Sequence, residues 1–213
     1  MDVRAKQLHF KNLRGYFRLV RYWFCPTSSQ SLNLFAESTE FFIFKIRAFR
    51  KKHNSLLCLG GTQLELIAIT ENGEPAKPVS STPQVAAEVV EAMTQLYRAV
   101  GYEPPWIGYL AVENGACVGM CGFKSPPQNN RVEIAYGTLP EHEARGVATR
   151  MASELICLAL DKMPALTVTA QTLPEENAST SVLKKLRFRL LGTVEHPEDG
   201  LVWEWRLSDA SEA

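Results

Sequence analysis

Residues 132–152 read VEIAYGTLPEHEARGVATRMA, and this stretch decides the fold. Val132 to Tyr136 has the β-branched and aromatic content of a strand. A short Pro-containing loop follows. It ends in Glu143-Ala144-Arg145-Gly146-Val147-Ala148, and an amphipathic helical pattern begins at once. A strand, a turn of small residues and a helix N-terminus together make an anion site. The first helical N–H groups have no partner inside the helix, and the aligned peptide dipoles add positive potential there. Gly146 and Ala148 keep side-chain bulk away from the backbone that a phosphate would approach. Arg145 and Arg150 add positive charge beside it.

Outward from that block the text is regular on both sides. Leu64 to Thr70 alternates like a strand, and Glu71 to Pro75 is a turn. Ser81 or Thr82 is placed to cap a helix with Pro83 in its first turn. Val85, Val89, Met93, Leu96 and Val100 fall on one face of that helix, and Gly101 stops it. Trp106 to Val112 and Ala116 to Lys124 read as strands joined by the hairpin turn Glu113-Asn114-Gly115. Ser125 to Asn130 is a loop, Arg131 to Thr138 a strand, and Gly146 to Met163 a helix ended by Pro164. Leu166 to Ala170 is a strand, Pro174 to Leu186 a helix, and Phe188 to Glu195 and Leu201 to Leu207 two closing strands.

The block resembles the acyl-CoA-binding motif of the GNAT superfamily of N-acetyltransferases. That pattern is Gln or Arg, two residues, Gly, one residue, then Gly or Ala. Gly146 and Ala148 match its last two positions. Glu143 stands at the first, where a carboxylate cannot donate to a pyrophosphate; its backbone N–H is the group left to serve. The order β, α, three β, α, β, α, two β matches the GNAT fold, an α/β architecture with a mixed, mostly antiparallel central sheet flanked by helices. The likeness covers about residues 62–207, and the stretches Pro104 to Leu110, Val118 to Lys124 and Glu133 to Gly137 are similar to the RimJ/RimL-like branch.

The resemblance implies an acetyl-CoA-dependent N-acetyltransferase. In such proteins the fourth strand splays from the fifth and the pantetheine arm lies in the gap. Tyr136, Gly137, Thr138 and Leu139 would pair with that arm, with Gly137 suited to a bulge. Ala144, Arg145, Gly146, Val147, Ala148 and Thr149, with Glu143, would surround the diphosphate. Glu133 occupies the Glu-Ile-x-aromatic position where some members carry the general base, and alternation places Glu133, Ala135 and Gly137 on one face. The last helix is similar to the pattern Asn-x-x-Ser … Val-Leu-x-Lys-Leu-Gly-Phe. Its Ser position is Ser179, implied to bond the sulfur or protonate the thiolate. The Asn position falls on Glu176, and Asn177, one residue later, either contacts the pantetheine or caps the helix. Arg187 replaces the Gly. Leu183 stands where many members place a tyrosine acid, so no such acid is expected from this helix.

Composition bounds the rest. The chain has 213 residues, room for one domain of about 150 residues and an extension. Net charge is zero, yet residues 1–55 carry 11 Lys and Arg against 3 Asp and Glu, a net of +8, and residues 56–213 carry 12 against 20, a net of −8. The split divides the chain into a basic, aromatic-rich extension without sustained period, 1–58, expected to be poorly ordered, and the acetyltransferase domain, 59–213. Nucleic-acid binding through the basic arm is the weaker reading, and nucleic acid is not an expected partner. No run of about 18 apolar residues exists, so no membrane partner is expected. Five scattered cysteines argue against a disulfide framework and for a reducing cytoplasm, and they lack the spacing of a zinc site, so no metal is expected. Expected partners are acetyl-CoA and an amine acceptor, with a homodimer as one possible assembly. A non-catalytic CoA-binding regulatory module on the same fold is the alternative, supported by the displaced Asn177 and the departures at Glu143 and Leu183.

Overall fold

The computed structural model describes residues 63–197 and 199–208; the basic extension 1–58 lies outside them. Seven strands form one sheet: β1 Glu65–Ala68, β2 Gly108–Glu113, β3 Ala116–Phe123, β4 Arg131–Thr138, β5 Thr167–Thr172, β6 Phe188–His196 and β7 Gly200–Leu207. Their order across the sheet is β1-β2-β3-β4-β5-β7-β6. Each neighbouring pair is antiparallel except β4–β5, which is parallel. Among the described residues three helices flank the sheet: α1 Gln84–Val100, α2 Val147–Lys162 and α3 Ala178–Lys185. This is the element order expected from the sequence.

Local chemistry accounts for the elements. Asn114 and Gly115 both take positive φ, 51° and 80°, as a two-residue hairpin turn whose twist suits the flanking strands requires. α1 buries Ala86, Val89, Ala92, Met93, Leu96 and Tyr97, one stripe at helical spacing. Its N-cap is Pro83 itself, with no side-chain cap. Neither Ser81 nor Thr82 caps it; the Ser81 carbonyl instead accepts from the Cys117 N–H at 3.1 Å. α2 buries Met151, Leu155, Ile156 and Ala159 completely and packs on β3 and β4. α3 begins four residues later than the sequence suggests. Asn177 closes a capping box with Thr180, and the preceding Pro174 to Glu176 stays outside the helix.

The two main helices lie on opposite faces. A Cβ on Gly108 would meet Met93 of α1, and one on Gly119 would meet Met151 of α2. Gly108 pairs with Gly122, three residues from Gly119, and alternation puts an odd spacing on opposite faces. One phenol ties α1 to the sheet. The Tyr97 hydroxyl donates to the Ile69 carbonyl at 3.2 Å and accepts from the Gly108 N–H at 2.9 Å. Replacing Tyr97 with Phe leaves both buried backbone groups unpaired, and urea unfolding should show a loss of about 1–3 kcal/mol. Burial pushes this phenol up to about 12 from the ordinary 10. Its contribution is therefore whole below pH 10 and is lost as pH rises toward 12.

Candidate active site

β4 and β5 run together only briefly. Arg131 pairs with Thr167, Val132 with Val168 and Glu133 with Thr169, and there the pairing ends. β4 continues to Thr138 and β5 to Thr172 without each other, so the sheet opens from Glu133 onward. Four buried side-chain atoms on these two strands make no hydrogen bond among the described residues: Glu133 Oε1, which is in ionic contact with Lys124, Glu133 Oε2, Thr138 Oγ1 and Gln171 Oε1. Buried polar atoms are normally satisfied. Such atoms stand on both of the strands that part. The strand is regular through Gly137, without the bulge expected there; Gly137 pairs with Met120 and Thr138 with Gly119 in unbroken register. What the glycines allow is close approach, since a Cβ on Gly119 would lie 2.7 Å from the Gly137 carbonyl oxygen.

The chain leaves β4 through a 3-10 turn, Pro140–His142, and enters α2 by two left-handed residues. Ala144 has φ 58° and Gly146, the N-cap, φ 74°. Ala144 is strained there and Gly146 is not. No side chain caps α2 and no acidic residue stands in its first turn, so its leading N–H groups stay open to an anion. Nothing lies within 4 Å of a Cβ built on Gly146. Arg145 is exposed beside the turn, with Glu143 and Ala144. Arg150 does not stand free there, because its guanidinium pairs with Glu113 of β2. Val147 is buried, leaving its backbone as the available part; Ala148 and Thr149 are half-buried. The Leu139 N–H is committed to the Val118 carbonyl at 3.0 Å.

α3 meets the open edge of β4. The Tyr136 hydroxyl donates to the Ser179 carbonyl at 3.3 Å, and burial pushes that phenol up. The Asn177 Oδ1 accepts from the Thr180 N–H at 3.1 Å, and the Thr180 hydroxyl accepts from the Asn177 N–H at 2.9 Å. The cap thus uses Asn177 and Thr180 and leaves the exposed Ser179 hydroxyl without a partner among the described residues. Leu183, in place of a tyrosine acid, is wholly buried. No hydrogen bond joins Glu133 to Ser179 among the described residues. Glu133 instead lies against Lys124, a residue that sequence patterning passed over, as it passed over Gln171.

Other candidates are structural. Trp106 and Trp205 are buried; Trp106 stacks edge-on to Phe123 at 5.1 Å. Cys117 and Cys121 are buried and their thiols are pushed up by that burial. Among the described residues no cluster of His, Cys, Asp and Glu could hold a metal, and no helix is long and apolar enough to cross a membrane.

Residues 63–189 match the family model of the acetyltransferase (GNAT) domain. No curated protein gives a significant match. Among solved structures, the ribosomal protein acetyltransferase RimL in complex with coenzyme A is 18% identical, with a TM-score of 0.52 over 68% of this chain and 94% of that one. A putative ribosomal-protein-serine acetyltransferase from Vibrio cholerae is 14% identical, with a TM-score of 0.53 over 70% and 95%. A spermidine N-acetyltransferase chimera from Vibrio cholerae SpeG and hSSAT is 12% identical, with a TM-score of 0.51 over 68% and 95%. At such identities the likeness is one of fold, in keeping with the RimJ/RimL-like resemblance. The family match, over a sheet that opens beside an uncapped helix, shows that the chain belongs to the GNAT acetyltransferases, which are acetyl-CoA-dependent N-acetyltransferases.

Proposed function

We propose that residues 59–213 transfer the acetyl group of acetyl-CoA directly to a primary amine, on a small molecule or a protein N-terminus. The observation that carries this reading is the opening between β4 and β5, with orphaned polar atoms on both strands and the bare N-terminus of α2 at its exit. The residues fit coenzyme A. The first N–H groups of α2 and the Arg145 side chain hold the diphosphate, and Gly146 leaves room for it. The unpaired edge of β4 from Ile134 to Thr138 hydrogen-bonds the pantetheine amides, with Thr138 Oγ1 beside it. The Asn177 Nδ2, not used in the cap, reaches the same arm. Acetyl-CoA supplies the acetyl group as a thioester.

Glu133 takes the proton that the acceptor amine must shed to attack, directly or through one water. The Ser179 hydroxyl donates to the departing sulfur. Glu133 acts from β4 and Ser179 from α3. Attack is direct, without an acyl-enzyme, because burial pushes the Cys117 and Cys121 thiols up and away from the thiolate a nucleophile needs. RimL and spermidine acetyltransferases among the fold neighbours both name primary-amine acceptors.

The test is release of free thiol from acetyl-CoA by the full-length chain with peptides, polyamines, amino acids and aminoglycosides. The reading expects amine-dependent thiol release matched one-to-one by acetylated amine. Tight binding of coenzyme A with no turnover on any amine would support the non-catalytic module instead.

A further inference from the structure

The last residue of β4 to pair with β5 is also the strand's only buried charge. The side chains of Glu133 and Lys124 are 7% and 4% exposed, and Glu133 Oε1 lies 2.6 Å from Lys124 Nζ. The contact is one of charge more than of aligned hydrogen bonding. Backbone register enforces it, because the Lys124 N–H donates to the Glu133 carbonyl at 3.0 Å. The two residues are therefore cross-strand neighbours, on the face that carries α1.

Such a pair is a poor way to hold a fold together. Desolvating two ions consumes most of their attraction, and apolar side chains of like volume usually serve stability as well. Stability alone does not account for its presence at the head of the opening. The second carboxylate oxygen, Oε2, is buried too and has no partner among the described residues. One oxygen is thus anchored and the other held in reserve. Other charges near Glu133 are committed elsewhere. Arg131, on the same face, reaches Thr169 Oγ1 at 3.3 Å and pairs with Glu204. α1 buries only apolar residues and Tyr97, and β5 brings Thr169 opposite Glu133.

We propose that Lys124 is a positioning residue of the transfer reaction. Its ammonium fixes Glu133 through Oε1 and reserves Oε2 for the acceptor amine or its water. The pair is neutral as a unit, so a second cation gains little there, and the acceptor is favoured as the uncharged amine that can attack. This rests on Glu133 as the base.

The experiment compares Lys124→Met, Lys124→Arg, Glu133→Gln and the double variant Glu133→Gln/Lys124→Met in the full-length chain. It reads kcat/KM for the amine across pH, KM for acetyl-CoA, and Tm. Lys124→Met should lose at least about tenfold in kcat/KM for the amine, with KM for acetyl-CoA within about twofold of the unaltered chain. The shape of its pH profile should change, because removing Lys124 leaves the buried Glu133 side chain without its counter-charge. Lys124→Arg should restore most of the rate, and Lys124→Met should add no further loss on top of Glu133→Gln. An unchanged rate and pH profile in Lys124→Met overturns the proposal alone, as does an equal further loss in the Glu133→Gln background. Absence of turnover in the unaltered chain overturns the acetyltransferase reading and this proposal with it.

Discussion

Gly146→Glu is expected to raise the Kd for coenzyme A by at least about 100-fold, the largest binding effect of any single change here. Two effects combine. Gly146 sits at φ 74° and ψ 10°, the left-handed region where an L side chain costs roughly 1–2 kcal/mol. The added carboxylate then lies at the positive end of α2, where the diphosphate would rest, and repels it. Space is not the obstacle, since nothing stands within 4 Å of the new Cβ. The fold should therefore survive with Tm lower by only about 2–8 °C. Gly146→Ala separates the terms: it carries the strain without the charge and should weaken binding only a few-fold. Titration calorimetry reads both variants.

Glu133→Gln should lower kcat by about 10²–10⁴-fold and remove the acid limb of the rate profile, with acetyl-CoA still bound. The amide keeps the shape of the carboxylate but cannot accept a proton. Stability must be followed in parallel. Gln leaves Lys124 buried without its counter-charge, and breaking such a pair by removing one partner costs about 3–5 kcal/mol. Kinetics should be measured well below the variant's Tm. A variant with the original rate and profile would mean that Glu133 is not the base.

The element order was legible because each element carries its own local period. α1 shows it in Val89, Met93 and Leu96, and Asn114-Gly115 announces its hairpin without reference to anything distant. The turn into α2 was legible for the same reason: small residues, a strand before and a helix after. Boundaries failed where local cues compete. Pro174 looks like a first-turn proline, but the Asn177–Thr180 box sets the start of α3, and an Asn-x-x-Thr box lacks the Glu or Gln that usually signals one. Ser81 and Thr82 look like caps, yet the Ser81 carbonyl is drawn to β3 by a contact between residues 36 apart.

The candidate site was half legible. Glu133 stood out as a charge inside an apolar strand. Its partner did not, because Lys124, just past the end of β3, reads as an ordinary solvated strand terminus. Only the antiparallel register of β3 and β4 brings the two together. Gln171 was invisible for a similar reason: its significance lies in where β5 parts from β4, which depends on parallel pairing between segments far apart in the chain. Arg150 was the converse case. Its position suggested the phosphate site, and Glu113 at the end of β2 claimed it.

The account stands on the diphosphate being gripped by the first turn of α2. Titration calorimetry of the full-length chain with coenzyme A and with pantetheine, which lacks the nucleotide and its diphosphate, tests that most directly. The account predicts one molecule of coenzyme A bound per chain and pantetheine bound at least about 100-fold more weakly. Equal affinity for the two, or no heat with coenzyme A, would contradict it.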